Sequence, residues 1–214
     1  MDNIGEALCR ANNCSHTFWG VTPDVRIISR KALNAQGIGS DSSVISAIDR
    51  AIALKAQFNI RVINLSLGRP VRESYRVDPL CQAVERAWRA GIVVVVSAGN
   101  EGRNNSANTK GYGTITSPGN DPYVITVGAV NHKNDWDPNN DIIATYSSKG
   151  PTAIDRIVKP DILAPGNRVF GYQASGTTLV PLHFGVPVDY TPGGVLFVVE
   201  GLGPTDNFRL VGDL

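Results

Sequence analysis

The run Ile92-Val93-Val94-Val95-Val96 constrains this chain more than any other segment. Five consecutive β-branched residues show no polar alternation, so they read as a short strand buried on both faces. Such a strand belongs inside a parallel sheet. It leads directly into Ser97-Ala98-Gly99-Asn100-Glu101-Gly102, a glycine-flanked turn. In open α/β sheets, ligands bind at the carboxyl ends of the strands. Small residues there admit a substrate backbone, and an Asn amide can donate into a developing oxyanion. The same residues also suit a plain strand-to-loop turn in which Asn100 only tolerates an unusual backbone angle.

The flanking segments alternate in type. Val25–Ser29 is short, β-branched and preceded by Pro23-Asp24. Asp41 can cap a helix whose apolar positions Val44, Ile45, Ile48 and Ile52 follow helical spacing. Val62–Leu67 reads as a strand ending at Gly68. Asp78-Pro79 supplies a cap and a first-turn proline, Leu80, Val84, Ala87 and Trp88 share one face, and Gly91 is the stop. Tyr123–Val130 is a further strand. Strands separated by helices in this order predict parallel βαβ units: an α/β fold with helices on both faces of the sheet. Beyond Val130 the pattern loosens into an Asp- and Asn-rich loop at 131–141 and a short strand at Ile142–Tyr146. Turns follow at Gly150-Pro151, Lys159-Pro160 and Ala164-Pro165-Gly166. From Gly171 onward Gly and Pro recur without a long helical pattern, so 171–214 reads as a tail apart from 1–170.

Charge removes several function classes. Twenty Lys and Arg against nineteen Asp and Glu leave a net charge of +1, with no electrostatic footprint for nucleic acid or anionic lipid. The apolar run at 92–96 is far too short to span a bilayer. Neither nucleic acid nor membrane is expected as a partner. Met1–Glu6 shows no basic stretch followed by an apolar core, so no signal peptide is expected in this chain. Three cysteines are too few for a disulfide scaffold. Cys9 and Cys14 either close a small loop or remain two free thiols, whereas Cys81 falls in the second helical pattern and reads as a packed residue.

Several blocks now form an ordered series: Arg61–Gly68, Ser97–Asn100, Ser117-Pro118-Gly119 with Tyr123–Val130, Tyr146–Pro151, and Lys159–Gly166. The series closely resembles the subtilisin-like serine endopeptidases (subtilases), with the blocks in that family's order. Upstream, Gly20–Leu33, Gly39-Ser40-Asp41 and Val44–Ile48 fit it as well, so the resemblance runs from Trp19 to Arg168. It implies proteolysis through acyl-enzyme chemistry on an extended peptide or protein. Asn100 matches the oxyanion-hole asparagine. Ser66, Leu67 and Gly68 match the strand end that pairs with substrate backbone, and Ser97, Ala98 and Gly99 match the facing wall of the specificity pocket. Small residues at Gly68, Ala98 and Gly99 leave room for a sizeable side chain between them. The resemblance also implies an extracellular or cell-envelope setting for a full-length protein, and no required cofactor.

The triad is the expected deficit. A serine protease of this kind needs a Ser nucleophile, a His base and an orienting Asp. In the family, the Asp and His blocks precede the segment with which this chain begins. No His-Gly dipeptide is present, and His16, His132 and His183 read as surface histidines. Ser175-Gly176-Thr177-Thr178 echoes the family's nucleophile block with Thr178 at the Ser position. Leu179-Val180-Pro181 does not continue it as a helix. The family's Asp-bearing strand would lie between the strands at Val25–Ser29 and Val62–Leu67. Its absence predicts either a gap that weakens the domain or direct pairing of those two strands.

Other constellations are weaker. Asp135–Asp141 alternates oxygen ligands, yet an EF-hand would need Gly and Glu where Asn140 and Tyr146 stand, so a solvated loop is the reading and structural calcium has no specific motif. Gly37-Ile38-Gly39 lacks a third glycine for a phosphate cradle. Asn13-Cys14-Ser15 and Asn104-Asn105-Ser106 match the glycosylation pattern. Two readings of function stand: part of a serine endopeptidase, or a non-catalytic module that keeps the peptide groove.

Overall fold

The computed structural model describes residues 26–34, 37–133 and 137–167, and the backbone of 195–200. Cys9, Cys14, His16, His183 and the Ser175–Thr178 echo lie outside the described residues.

Local chemistry explains both helices. Helix α1 (Asp41–Phe58) is capped by Ser40, whose hydroxyl accepts from the Ser43 amide; Asp41, expected as the cap, is instead the first helical residue. Its carboxylate there faces the positive end of the helix dipole. Helix α2 (Pro79–Arg89) is capped by Asp78 as expected, with proline in the first turn and Arg86 and Arg89 in the last. Gly91 takes φ +73° immediately beyond, a left-handed conformation that suits glycine.

The strands are β1 (Arg26–Lys31), β2 (Ile60–Leu65), β3 (Val93–Ser97), β4 (Ile125–Asn131), β5 (Ile142–Ile143), β6 (Ile162–Pro165) and β7 (Val195–Glu200). They form one sheet in the order β1-β7-β2-β3-β4-β5, with β6 also paired to β4. Only the β4–β5 pairing is antiparallel among the named strands. The fold is therefore α/β with a mostly parallel sheet. Beneath it, Val44, Ile48 and Ala51 of α1 and Leu80, Val84 and Ala87 of α2 pack with Ile63, Leu65, Val94 and Val96 in one core. Each large aliphatic side chain fully buried this way contributes about 1.5–3 kcal/mol.

Both described helices lie on this one face. That corrects the expectation that β3 is buried on both sides: Val94 and Val96 are buried, but Val93 is 44% exposed on the opposite face. Ile27 and Ile125 are exposed as well. The strand expected at 142–146 shortens to Ile142–Ile143, because a turn follows at once.

The larger difference concerns the slot between β1 and β2. Neither a gap nor direct pairing is found. Strand β7 fills the slot, parallel to β1 from Arg26↔Val195 to Lys31↔Glu200 and parallel to β2 through Asn64↔Val198. The unpaired edges that argued for weakness are thus satisfied by a segment read as tail.

The core also encloses polar groups. Asp121 is fully buried; its Oδ1 accepts from the Tyr123 amide and its Oδ2 has no hydrogen-bond partner. Burial pushes the Asp121 carboxyl up to about 7, reinforced by Glu85 and opposed by the Tyr123 amide, Lys159 and Arg89. A carboxyl in the unfolded chain titrates near ~3.9. The folded state therefore holds a proton that the unfolded state has lost, and stability from this group declines as pH rises from about 4 to about 7. Asp121→Asn should flatten that decline and leave the variant more stable than the parent above about pH 7. Urea midpoints at acidic and alkaline pH test this; midpoints shifting equally in both proteins would exonerate Asp121.

Candidate functional site

At the carboxyl end of β3 the chain turns through Ala98, Gly99 and Asn100, and backbone hydrogen bonds hold the turn. The Ala98 amide donates to the Val127 carbonyl (2.8 Å), and the Thr116 amide donates to the Ala98 carbonyl (3.1 Å). The Ser148 amide donates to the Gly99 carbonyl (2.8 Å), while the Ser148 hydroxyl accepts from the Glu101 amide (3.1 Å). Gly99 adopts φ +104°, which explains why glycine stands there.

Across from this turn, Ser66, Leu67 and Gly68 continue past the end of β2 outside any ladder. Their position is fixed one residue later. Arg69 and Ser117 exchange backbone hydrogen bonds of 3.0 and 2.9 Å. The Arg69 guanidinium donates to Asp41 Oδ2 and to Asp78 Oδ1, each at 2.8 Å. Asp78 in turn accepts from the Leu80 amide (2.9 Å) and from the Ser117 hydroxyl (2.9 Å).

Between the two strand ends lies a cavity of about 140 Å³. Leu67 and Gly68 line it from the β2 side, and Ser97, Ala98, Gly99 and Asn100 from the β3 side. Six of the seven residues singled out in the sequence thus meet around one space. Ser66 does not line it; its hydroxyl accepts from Asn64 Nδ2 at 2.9 Å. Asn100 is exposed, so its amide remains open to solvent and to a ligand.

Sequence reasoning did not single out Thr116, Glu101 or Ser147, which also line the cavity. Thr116 is the most consequential. A Cβ added at Gly68 would stand 2.5 Å from Thr116 Oγ1, and one at Gly99 would stand 2.8 Å from Thr116 Cγ2. The space expected between the two glycines for a ligand side chain is therefore partly filled by Thr116. Among the described residues no three His, Cys, Asp or Glu side chains cluster as metal ligands. In the 137–141 loop, Asp137 Oδ1 instead accepts from the Asn139 amide (3.0 Å) and Asn139 Nδ2 (2.7 Å). Those bonds hold the Asp137 carboxyl below its usual range. Cys81 is buried as expected, and burial, with Asp78 beside it, pushes its thiol up, so it is no nucleophile. No helix among the described residues is long and apolar enough to cross a membrane.

The model of the subtilase family matches residues 5–188. Serine protease AprX of Bacillus subtilis (strain 168) is 36% identical over 188 residues, covering 84% of this chain and 40% of that protein. Subtilisin DY of Bacillus licheniformis is 37% identical over 158 residues, covering 74% of this chain and 48% of that protein. Among solved structures, Sphericase superposes with a TM-score of 0.51 at 28% identity, over 64% of this chain and 42% of its own. A psychrophilic protease, S41, gives 0.50 at 26% identity over the same shares. The chain spans less than half the length of each of these relatives.

The crowded glycine at the cavity wall yields a stability test. Gly99→Ala forces a Cβ to within 2.8 Å of both Ser148 Oγ and Thr116 Cγ2 at φ +104°. The expected cost is about 1–3 kcal/mol of unfolding free energy. Chemical denaturation of the variant checks it, and an unchanged midpoint would contradict the packing described.

Proposed function

This chain belongs to the subtilase family, and from that premise we propose that it is part of a serine endopeptidase whose two strand ends form the substrate groove. The observation that carries the reading is the cavity between Leu67-Gly68 and Ser97–Asn100. A cavity of ~150 Å³ holds a molecule the size of benzene, so this one suits a single side chain. A peptide whose backbone lies along the strand ends, as an added strand, places one side chain in it. Backbone pairing tolerates many sequences, and the cavity, narrowed by Thr116, supplies the selectivity.

Within this reading, Asn100 acts late. As a substrate carbonyl is attacked, its oxygen gains negative charge, and the exposed Asn100 amide donates a hydrogen bond to it. Such a donor in subtilisin is worth ~2.7–4 kcal/mol, or ~10²–10³ in rate. The cavity lining itself holds no histidine to act as base. Among the described residues the one histidine is His132, which lies outside the cavity lining, with its Nδ1 buried and unpartnered. That observation favours a second reading for the chain by itself: a module that binds extended peptide without cutting. The family's extracellular or cell-envelope setting belongs to this proposal as well.

One titration tests the groove that both readings share. With a fluorogenic extended peptide, amide resonances of Leu67, Gly68, Ala98 and Gly99 should shift while no fluorescence develops. Turnover abolished by Thr178→Ala would replace this reading with a threonine nucleophile; absence of any shift would remove the groove.

Asn100 has its own test in a longer protein that carries the acid, histidine and serine. Asn100→Ala should lower kcat by ~10²–10³ and leave KM nearly unchanged, because its bond strengthens only as charge develops. A loss confined to KM would make Asn100 a ground-state binding residue.

A further inference from the structure

One side chain shapes the cavity from outside both strand ends. Thr116 is half-buried and lines the cavity, although it belongs to neither β2 nor β3. Its amide donates to the Ala98 carbonyl at 3.1 Å, and its hydroxyl donates to the same oxygen at 3.3 Å. The side chain is thereby held between the two glycines. A Cβ added at Gly68 would meet Thr116 Oγ1 at 2.5 Å, and one at Gly99 would meet Thr116 Cγ2 at 2.8 Å. Ser147 is likewise engaged: its hydroxyl accepts from the Ala129 amide at 2.9 Å and donates to the Ser148 carbonyl at 3.5 Å. Both hydroxyls are thus committed to backbone, and Leu67, Val127 and Ala129 supply apolar surface beside them.

Resting on the peptide-groove reading, we propose that Thr116 sets the substrate class. It selects extended peptides that place a short aliphatic side chain, valine or leucine, in the cavity, and it turns aromatic side chains away. Size carries the distinction. A cavity of ~150 Å³ holds a free benzene, and this one measures about 140 Å³. A phenylalanine side chain adds a methylene to that ring and is rigid and planar. Valine and leucine side chains have fewer atoms and can lie beside the Thr116 methyl. Backbone pairing along the strand ends is indifferent to the side chain, so the discrimination falls on Thr116.

The test titrates the isotope-labelled full chain with short acetylated alanine peptides that carry one central Leu or one central Phe. Kd is read from the amide shifts of Gly68, Ala98 and Gly99. The Leu peptide should bind ~10-fold tighter, the lower end of what one misfitting group costs in an apolar pocket. Thr116→Gly should tighten the Phe peptide by ~10-fold or more and leave the Leu peptide no tighter. Thr116→Ser removes the methyl alone and keeps the hydroxyl that Ala98 accepts. It should give a smaller gain of the same sign, and it carries the test if the glycine variant fails to fold. Thr116→Val keeps the bulk without the hydroxyl and should keep the parental ratio. Equal affinities for the two peptides, with the cavity amides shifting, would overturn the gate and leave the groove standing. So would a parental ratio in the glycine and serine variants, or a lost ratio in the valine variant. No shift from either peptide in any of these proteins would overturn the groove itself, and the gate with it.

Discussion

The Arg69 guanidinium, held between Asp41 and Asp78, is the interaction on which the arrangement of the site depends. Asp41 opens α1, Asp78 caps α2, and Arg69 follows the Leu67-Gly68 strand end by one residue. Arg69 is 14% exposed in its side chain and Asp78 is wholly buried. Charges withdrawn from water to that extent are tolerated only when paired, and removing one partner of a buried pair costs about 3–5 kcal/mol. Asp78 also accepts from the Leu80 amide and the Ser117 hydroxyl. Two helix starts, a strand end and the Ser117 loop are thereby fixed relative to one another, and with them one wall of the cavity.

The opposite wall is built differently. Its shape comes from backbone approaching backbone, which only glycine allows at several points. A Cβ at Gly102 would lie 2.1 Å from the Ser147 carbonyl oxygen, and one at Gly111 would lie 1.9 Å from the Gly102 oxygen. The turn after β3 is thus clamped from beneath by the Tyr146–Ser148 segment, leaving its upper surface for a ligand. The surface made this way presents main-chain groups first and side chains second, which is what the proposed backbone pairing with a peptide requires.

Legibility in the sequence followed the range of the interactions. The cap at Asp78, the proline after it and the burial of Leu80, Val84 and Ala87 are local, and they read correctly; Trp88, placed on the same face, is instead 46% exposed and stacks beside Tyr123. The cavity residues from Leu67 to Asn100 were picked out by the resemblance to the subtilases, because glycines and small residues at a strand end suit a plain turn equally well. Arg69 was not, because its partners lie 28 and 9 residues away and nothing in the spacing marks a charged fork. Thr116 was missed for the same reason: its contacts with Gly68 and Gly99 arise only once three loops converge. Val93 misled, since a run of β-branched residues reports strand propensity but not which faces have a covering layer. β7 carried a signal, an apolar run between glycines at 194 and 201, yet its pairing is with strands more than 100 residues earlier.

That separation sets a clock on biosynthesis. β2 ends at Leu65 and β7 begins at Val195, so about 130 residues of translation separate the two sides of one ladder. At ~5–20 residues per second the interval is roughly 6–26 s. Throughout it, the facing edges of β1 and β2 wait unpaired, while each local helix completes in microseconds once it has been made. A nascent chain of this sequence therefore passes through a long-lived, nearly finished state with an open seam. Neighbouring chains on one message are staggered in length, yet each carries the same open seam until its own β7 emerges.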